Sequence, residues 1–293
     1  MAALPHSYGD RVSSDLDQTL DYYLITTEAA DERLRGLPPV PVTHEFTDRK
    51  GALDWLDAER ASLVAAVQAA ADAGRDYAAK SLPLLLAYYL GFRSLFDDLL
   101  LVSRIGLDAA RRLSDWAAER GALTNLGLAL DGLGRWEEAV AVQQEAAATF
   151  AGAGDRHGQA HALNNLGLAL HGVHRDDEAF SAHREAAAMY RAAGDRQGEG
   201  NALNNLGLAL QAMHRDDEAL PAYREAAAIF RETGERHGVA TTLGNMGNIL
   251  RELGRYKEAL TVYQEAAATF RETGDRPREL ATLEKITTAR EML

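Results

Sequence analysis

An all-α, right-handed α-solenoid of helical hairpins is the architecture this sequence predicts, and three observations predict it. The nonapeptide Ala162–Leu170, ALNNLGLAL, returns unchanged at Ala202–Leu210, forty positions on. Gly127, Gly167, Gly207 and Gly247 keep that interval, as do Ala139, Ala179, Ala219 and Ala259, and the aromatic set Phe150, Tyr190, Phe230 and Phe270. Within each interval the apolar residues fall at helical spacing, and no stretch shows a strand's alternation. A fixed period of about 20–50 residues marks stacked units that bury their apolar faces only against neighbours.

Composition narrows the function classes. The 293 residues carry a net charge of −13, which argues against partners such as nucleic acid or an anionic membrane surface. The longest apolar run, Leu82–Leu90, is far short of the roughly 20 residues of a membrane span, and MAALPHSYGDR does not read as a secretory leader. Cysteine is absent, which fits a cytoplasmic protein and excludes thiolate chemistry.

In chain order, residues 1–13 read as a lead-in without regular structure. Ser14 can cap a helix to about Arg35, with Leu16, Leu20, Tyr23 and Leu24 on one face. Gly36–Pro41 is a proline-rich connector, expected to be extended. A second helix is expected over about Arg49–Ala73, which makes 1–75 an N-terminal helical cap region. Residues 76–115 match the repeat weakly, with Pro83 where Leu123 should be and Gly106 where Ala146 should be, and form a degenerate hairpin. Residues 116–276 hold four full repeats. In each, the first helix carries Leu123, Leu163, Leu203 or Leu243 and then the periodic glycine. A glycine inside a helix costs about 1 kcal/mol against alanine, so close approach of the second helix is its expected reason. The second helix opens on acids, such as Asp176-Asp177-Glu178, that suit a helix N-terminus. Gly154-Asp155 and its relatives join a helix stop to the next helix cap. Residues 277–293 form a C-terminal capping helix, with Leu280, Leu283 and Ile286 turned inward and Lys285, Arg290 and Glu291 turned to water.

Leu-x-x-Leu-Gly followed by alanine twelve residues on resembles the tetratricopeptide repeat, in a 40-residue form with GDR-type connectors. The Trp and Tyr that usually flank the Leu-Gly pair are replaced by Leu123 and Leu130. A second resemblance lies in Gly51–Val67, GALDWLDAERASLVAAV, after the helix containing Leu20–Leu24. It is similar to the region behind the nucleotide-binding module of bacterial STAND or NB-ARC-type regulators, and implies a sensor arm of such a system. The chain itself has no phosphate loop. Gly74–Ser81, GRDYAAKS, has Ala79 in place of the second glycine and lies between helices, so neither ATP binding nor ATPase activity is expected.

No enzyme, cofactor or metal site emerges. His171, His174, Asp176 and Asp177 suggest metal ligands, but Gln211 stands where His171 would recur, and His174 and His214 replace turn glycines. The repeated acids serve the helix dipole, and Gly158 near a helix N-terminus is weak evidence for an anion. The candidate site is a groove lined by the first helices, as the tetratricopeptide resemblance implies. Helical spacing groups Asn164, Leu168 and His171; Asn204, Leu208 and Gln211; and Asn248 and Arg251, with Asn165, Asn205 and Asn245 on the flank. Primary amides both donate and accept, so a row of them can hold an extended peptide backbone, with an acidic group near Arg251. Asn164 and Asn204 are expected to face the groove, while the Asn165 set has joining neighbouring helices as its alternative. The function read here is a non-catalytic scaffold or sensor arm holding a peptide or protein ligand. Alternatives are self-association or small-molecule sensing; an NTPase module or a second copy are candidate partners.

Overall fold

The computed structural model describes residues 7–35 and 46–293, and every regular element among them is an α-helix. In order these are α1 Ser7–Arg35, α2 Arg49–Asp72, α3 Asp76–Phe92, α4 Phe96–Arg112, α5 Trp116–Gly132, α6 Trp136–Gly152, α7 Arg156–Gly172, α8 Asp176–Ala193, α9 Arg196–Ala212, α10 Asp216–Thr233, α11 Arg236–Glu252, α12 Tyr256–Glu272 and α13 Arg276–Glu291. Residues 7–13, expected as an irregular lead-in, instead continue α1. The proline-rich connector lies outside the described residues.

The chain turns on a twenty-residue beat. Positive φ occurs at Gly74, Ser94, Ser114, Gly134, Gly154, His174, Gly194, His214, Gly234, Gly254 and Gly274. Each ends a helix in the left-handed region, where glycine carries no Cβ penalty. Serine and histidine occupy it at a cost. Where an aspartate follows the left-handed residue, its side chain caps the next helix. Asp155 accepts from Gly158 N at 2.9 Å, Asp195 from Gly198 N at 2.8 Å and Asp115 from Ala118 N at 3.1 Å. Glu235, one methylene longer, makes no such cap bond.

Contacts divide the chain into two compact units, Met1–Val142 and Gln143–Leu293. In the first, α1 packs on α2 and α3, α2 on α3 and α4, and α3 on α4 and α5. Leu56, Leu63, Leu82, Leu86, Leu90, Leu99 and Leu123 are fully buried there, each contributing roughly 1.5–3 kcal/mol before entropy. Pro83 does not end α3; its ring is buried against Gly106, where a Cβ would approach to 3.1 Å. The weak match of α3 and α4 to the repeat is therefore a matched pair of changes, a bulky ring opposite a missing side chain.

In the second unit each helix packs on the next from α7 to α13, and α7 touches α9 as α9 touches α11. The second helices α8, α10 and α12 make no comparable contacts with one another. Closely spaced first helices and splayed second helices put the first-helix row on the inner side of this unit. The arginines of the outer connectors are locked to acids. Arg191 and Arg196 both hold the fully buried Glu199, at 2.5 Å each, and Arg271 and Arg276 both hold Glu279 at 2.7 Å.

The inward face of α13 keeps Ile286 as expected but differs at its other positions. Glu279, Thr282, Ile286 and Ala289 are buried, while Leu280 is 46% exposed and Leu283 half-buried. The forty-residue frame explains this, because Thr282, Ile286 and Ala289 fall in register with the buried Thr242, Met246 and Ile249 of α11. Lys285, expected in water, is half-buried toward α11.

Candidate functional site

The periodic glycines position the inner wall of the second unit. A Cβ on Gly167 would stand 2.5 Å from the His183 ring, one on Gly207 2.6 Å from the Tyr223 ring, and one on Gly247 2.5 Å from the Tyr263 ring. Each ring comes from the second helix of the same hairpin and lies flush on the first. That contact was legible as a glycine needing a packing reason; the partner, sixteen residues on, was missed. The signal was available in the common spacing of Gly167–His183, Gly207–Tyr223 and Gly247–Tyr263.

Above these rings the asparagines form a chain of hydrogen bonds. Asn245 Nδ2 donates to Asn204 Oδ1 at 3.2 Å, Asn204 Nδ2 to Asn205 Oδ1 at 3.3 Å, and Asn205 Nδ2 to Asn164 Oδ1 at 3.2 Å. Thr242 Oγ1 adds a second donor to Asn204 Oδ1 at 3.2 Å. His183 Nδ1 adds one to Asn164 Oδ1 at 3.1 Å, and Tyr263 Oη donates to Asn248 Oδ1 at 2.8 Å. Asn164 and Asn204, expected to face a ligand, are half-buried and their carbonyls are already taken inside the array. The alternative raised for the Asn165 set, joining neighbouring helices, therefore applies to both sets. A primary amide has two N–H groups and two lone pairs, so each still has capacity to spare.

Burial holds the His183 imidazole down to about 4, with the nearby His171 charge adding to the effect. It is therefore neutral near pH 7, and a neutral ring suits a single donation to Asn164. His161, accessible yet ringed by protein, also has a lowered pKa, from desolvation first and His157 second.

The remaining candidates sort clearly. Leu168 is exposed and Leu208 half-buried, both beside the amide chain. Gln211 is half-buried and donates to Glu252 at 3.4 Å. His171 Nδ1 is 2.6 Å from Asp176 Oδ1. Arg251 has no ion pair among the described residues. No group of three or more His, Cys, Asp or Glu side chains is placed to hold a metal among those residues. The anion candidate at Gly158 is filled from within, since the Asp155 carboxylate accepts its N–H and the Phe150 ring covers it. In Gly74–Ser81, Lys80 Nζ pairs with Asp115 Oδ2 at 2.6 Å and Arg75 pairs with Asp17, so neither cation is free for a phosphate. The acids opening the second helices pair backward: Arg175 with Glu178 at 2.6 Å, Arg215 with Glu218 and Arg255 with Glu258 at 2.7 Å. Those bonds hold the Glu178, Glu218 and Glu258 carboxyls below the usual range.

The first unit holds different hollows. Two adjoining cavities of about 510 and 560 Å³ run along α1 and α3, sharing Asp21, Leu24 and the largely exposed Tyr77. No helix among the described residues is long and apolar enough to cross a membrane.

A family model described as tetratricopeptide repeat matches residues 117–192 and 198–291. No curated protein matches the chain. Solved structures do. BtubC (BKLC) from P. vanneervenii is 17% identical with a TM-score of 0.60, covering 87% of this chain and 92% of that one. Aspartyl phosphate phosphatase F from Bacillus subtilis is 11% identical with a TM-score of 0.67, covering 99% and 80%. A Rap protein complexed with competence and sporulation factor is 10% identical with a TM-score of 0.53, covering 95% and 98%. At such identities the likeness concerns the fold.

Proposed function

The chain belongs to the tetratricopeptide repeat family, and on that premise we propose that it is a non-catalytic scaffold whose second unit holds an extended peptide or protein segment along its inner helix row. One observation carries the reading. That row presents partly accessible amides, Asn164 and Asn204 at repeat spacing and Asn248 one helical turn beyond their register, beside the apolar Leu168 and Leu208. The amides can pair with a peptide backbone through the hydrogen-bonding capacity they retain, while the leucines take apolar side chains. His171, Gln211 and Arg251 continue the wall. The Rap structure complexed with competence and sporulation factor lends support as a chain of like fold with a bound factor. The finer reading, a sensor arm of a STAND or NB-ARC-type regulator partnered by an NTPase module, rests on Gly51–Val67 and the Leu20–Leu24 helix.

The test uses a photo-crosslinking amino acid at position 168 or 208 and, as control, at position 184 on α8. A peptide selected by display against the whole chain should crosslink at 168 and 208. Crosslinking at 184 alone removes the inner row as the site. A second reading, small-molecule sensing, is favoured by the cavities along α1 and α3. A selected metabolite protected by Tyr77→Ala-sensitive binding would support it over the peptide reading.

A further inference from the structure

The upstream first helices carry Asn164 and Asn204, but α11 carries Gly244 at the same register, and a Cβ there would meet nothing within 4 Å. The missing side chain leaves a hollow of about 220 Å³ lined from α11 by Thr241, Gly244 and Asn245, and from α13 by Arg278 and Lys285. Its polar groups are not closed among themselves. Thr241 Oγ1 is buried and has no hydrogen-bond partner among the described residues. Asn245 spends one N–H on Asn204 and has a second. Lys285 Nζ lies 6.0 Å from the centre of the Tyr263 ring and has no ion pair among the described residues. Burial lowers its pKa, and the charge of Arg251, itself without an ion pair, lowers it further.

Two cations without an ion pair among the described residues, Lys285 and Arg251, stand out in a chain of net charge −13 whose connector arginines are bound to carboxylates. Arg191 holds Glu199 and Glu225, Arg196 holds Glu199 and Glu232, and Arg236 holds Glu272. Arg278, on the far rim of the hollow, is itself engaged by Asp275 and the His237 ring. An anion placed at Lys285 would offset both the repulsion from Arg251 and the desolvation of the ammonium, and would satisfy the Thr241 hydroxyl. A filled position, as at Asn164 and Asn204, leaves no such room.

We infer that the hollow between α11 and α13 accepts one anionic group, a carboxylate or a phosphoryl group, bound by Lys285 in the field of Arg251 with Thr241 and Asn245 as neutral donors. The inference rests on the inner-row reading and extends it to ligand chemistry: the held segment carries an acidic or phosphorylated residue at this end of the wall.

The chain has four lysines, Lys50, Lys80, Lys257 and Lys285, so ¹³Cε-labelled lysine gives four signals to follow by NMR. The probes are inorganic phosphate and N-acetylglutamate amide, titrated separately at constant ionic strength. With at least one probe, the Lys285 signal should move saturably and its titration midpoint should rise by about one unit or more, as bound charge favours the ammonium. The other three signals should not saturate. The stronger probe identifies the source, a phosphoryl group or a side-chain carboxylate. Gly244→Asn fills the hollow without altering charge and should weaken the response at least about tenfold. It should not lower the melting temperature, since the space is open and glycine is the poorer helix former. Arg251→Gln should weaken the response less. A Lys285 shift that grows in proportion to that of Lys257 overturns the inference. So does a Gly244→Asn variant that responds like the parent. If peptide binding at Leu168 and Leu208 is demonstrated while Lys285 stays silent, the anion site falls and the inner-row reading stands. A responsive Lys285 without crosslinking at 168 and 208 has the opposite meaning.

Discussion

In the first unit the helices meet through apolar side chains: Leu84 of α3 reaches over Gly121 of α5, and the Phe96 ring of α4 over Gly132. In the second unit the first helices meet through amides, with Asn205 bonded to Asn164 and Asn245 to Asn204. Apolar contact is non-directional and tolerates sliding, whereas a carbonyl with two donors fixes its neighbours' positions. The same register position makes the contrast plain. Asp131 of the first unit has a buried oxygen without a partner and a carboxyl pushed up to about 6 by burial. His171, forty residues on, is bonded to Asp176. At this register the second unit has therefore satisfied its polar group locally, and its asparagines have accessible amide capacity left over for a ligand.

The largest expected effect is the opposite pH response of Asp131 in the first unit and His183 in the second. The folded pKa of His183 lies below its unfolded value near 6.5. Its contribution is therefore present above pH 6.5 and lost as pH falls toward 4, by up to roughly 3 kcal/mol. In thermal melts at pH 7.5 and 4.5, His183→Gln should lose less stability than the parent. The folded pKa of Asp131 lies above its unfolded value, so its penalty grows as pH rises through about 6. Asp131→Asn should stabilise by about 1–2 kcal/mol at pH 7.5 and by nothing at pH 4. Equal pH slopes for parent and variants would remove this part of the comparison.

Next in size is the glycine contrast. Gly207→Ala forces a methyl against the rigid Tyr223 ring and should cost about 1–3 kcal/mol in denaturant melts. Gly121→Ala meets only the tip of Leu84, a side chain that can turn aside, at 2.7 Å. It should be neutral or slightly stabilising, because alanine is the better helix former.

Removing the junction of the amide chain comes third. Asn204→Ala strands Thr242, which is 1% exposed, and frees one Asn245 N–H, so it should cost about 1–2 kcal/mol of stability. Loss of ligand affinity in this variant would thus mix folding with contact. Leu168 and Leu208 are the cleaner probes of binding.

The smallest effects belong to the turns. Ser94→Gly, Ser114→Gly, His174→Gly and His214→Gly should each stabilise by about 0.5–1 kcal/mol, because their φ angles of 53–59° penalise a Cβ. Unchanged melting temperatures would show that these turns relax without strain.

Much of this was legible in the sequence because it repeats. The forty-residue period gave the hairpins, the αL turns at His174 and His214, and a packing role for Gly167. What escaped was set by neighbouring helices. Asn164 and Asn165 lie about 100° apart on α7, and the crossing of α9 decides that the carbonyl of the first serves the amide of Asn205. On α13 the hydrophobicity of Leu280 and Leu283 suggested the inward face. Register with α11 put Thr282 and Ala289 there beside the expected Ile286. Lys285 was read as a solvent-facing charge for the same reason.

The central claim is that the inner row of the second unit is the binding surface. Its most direct measurement is the affinity of a display-selected peptide for the Leu168→Asp/Leu208→Asp double variant beside Arg184→Glu, with folding of both checked by thermal melts. Arg184 lies on the outer helix α8. The account predicts at least a tenfold loss, about 1.4 kcal/mol, for the double variant and parental affinity for Arg184→Glu. Full affinity in the folded double variant, with binding lost in Arg184→Glu, would contradict it and move the site to the outer helices.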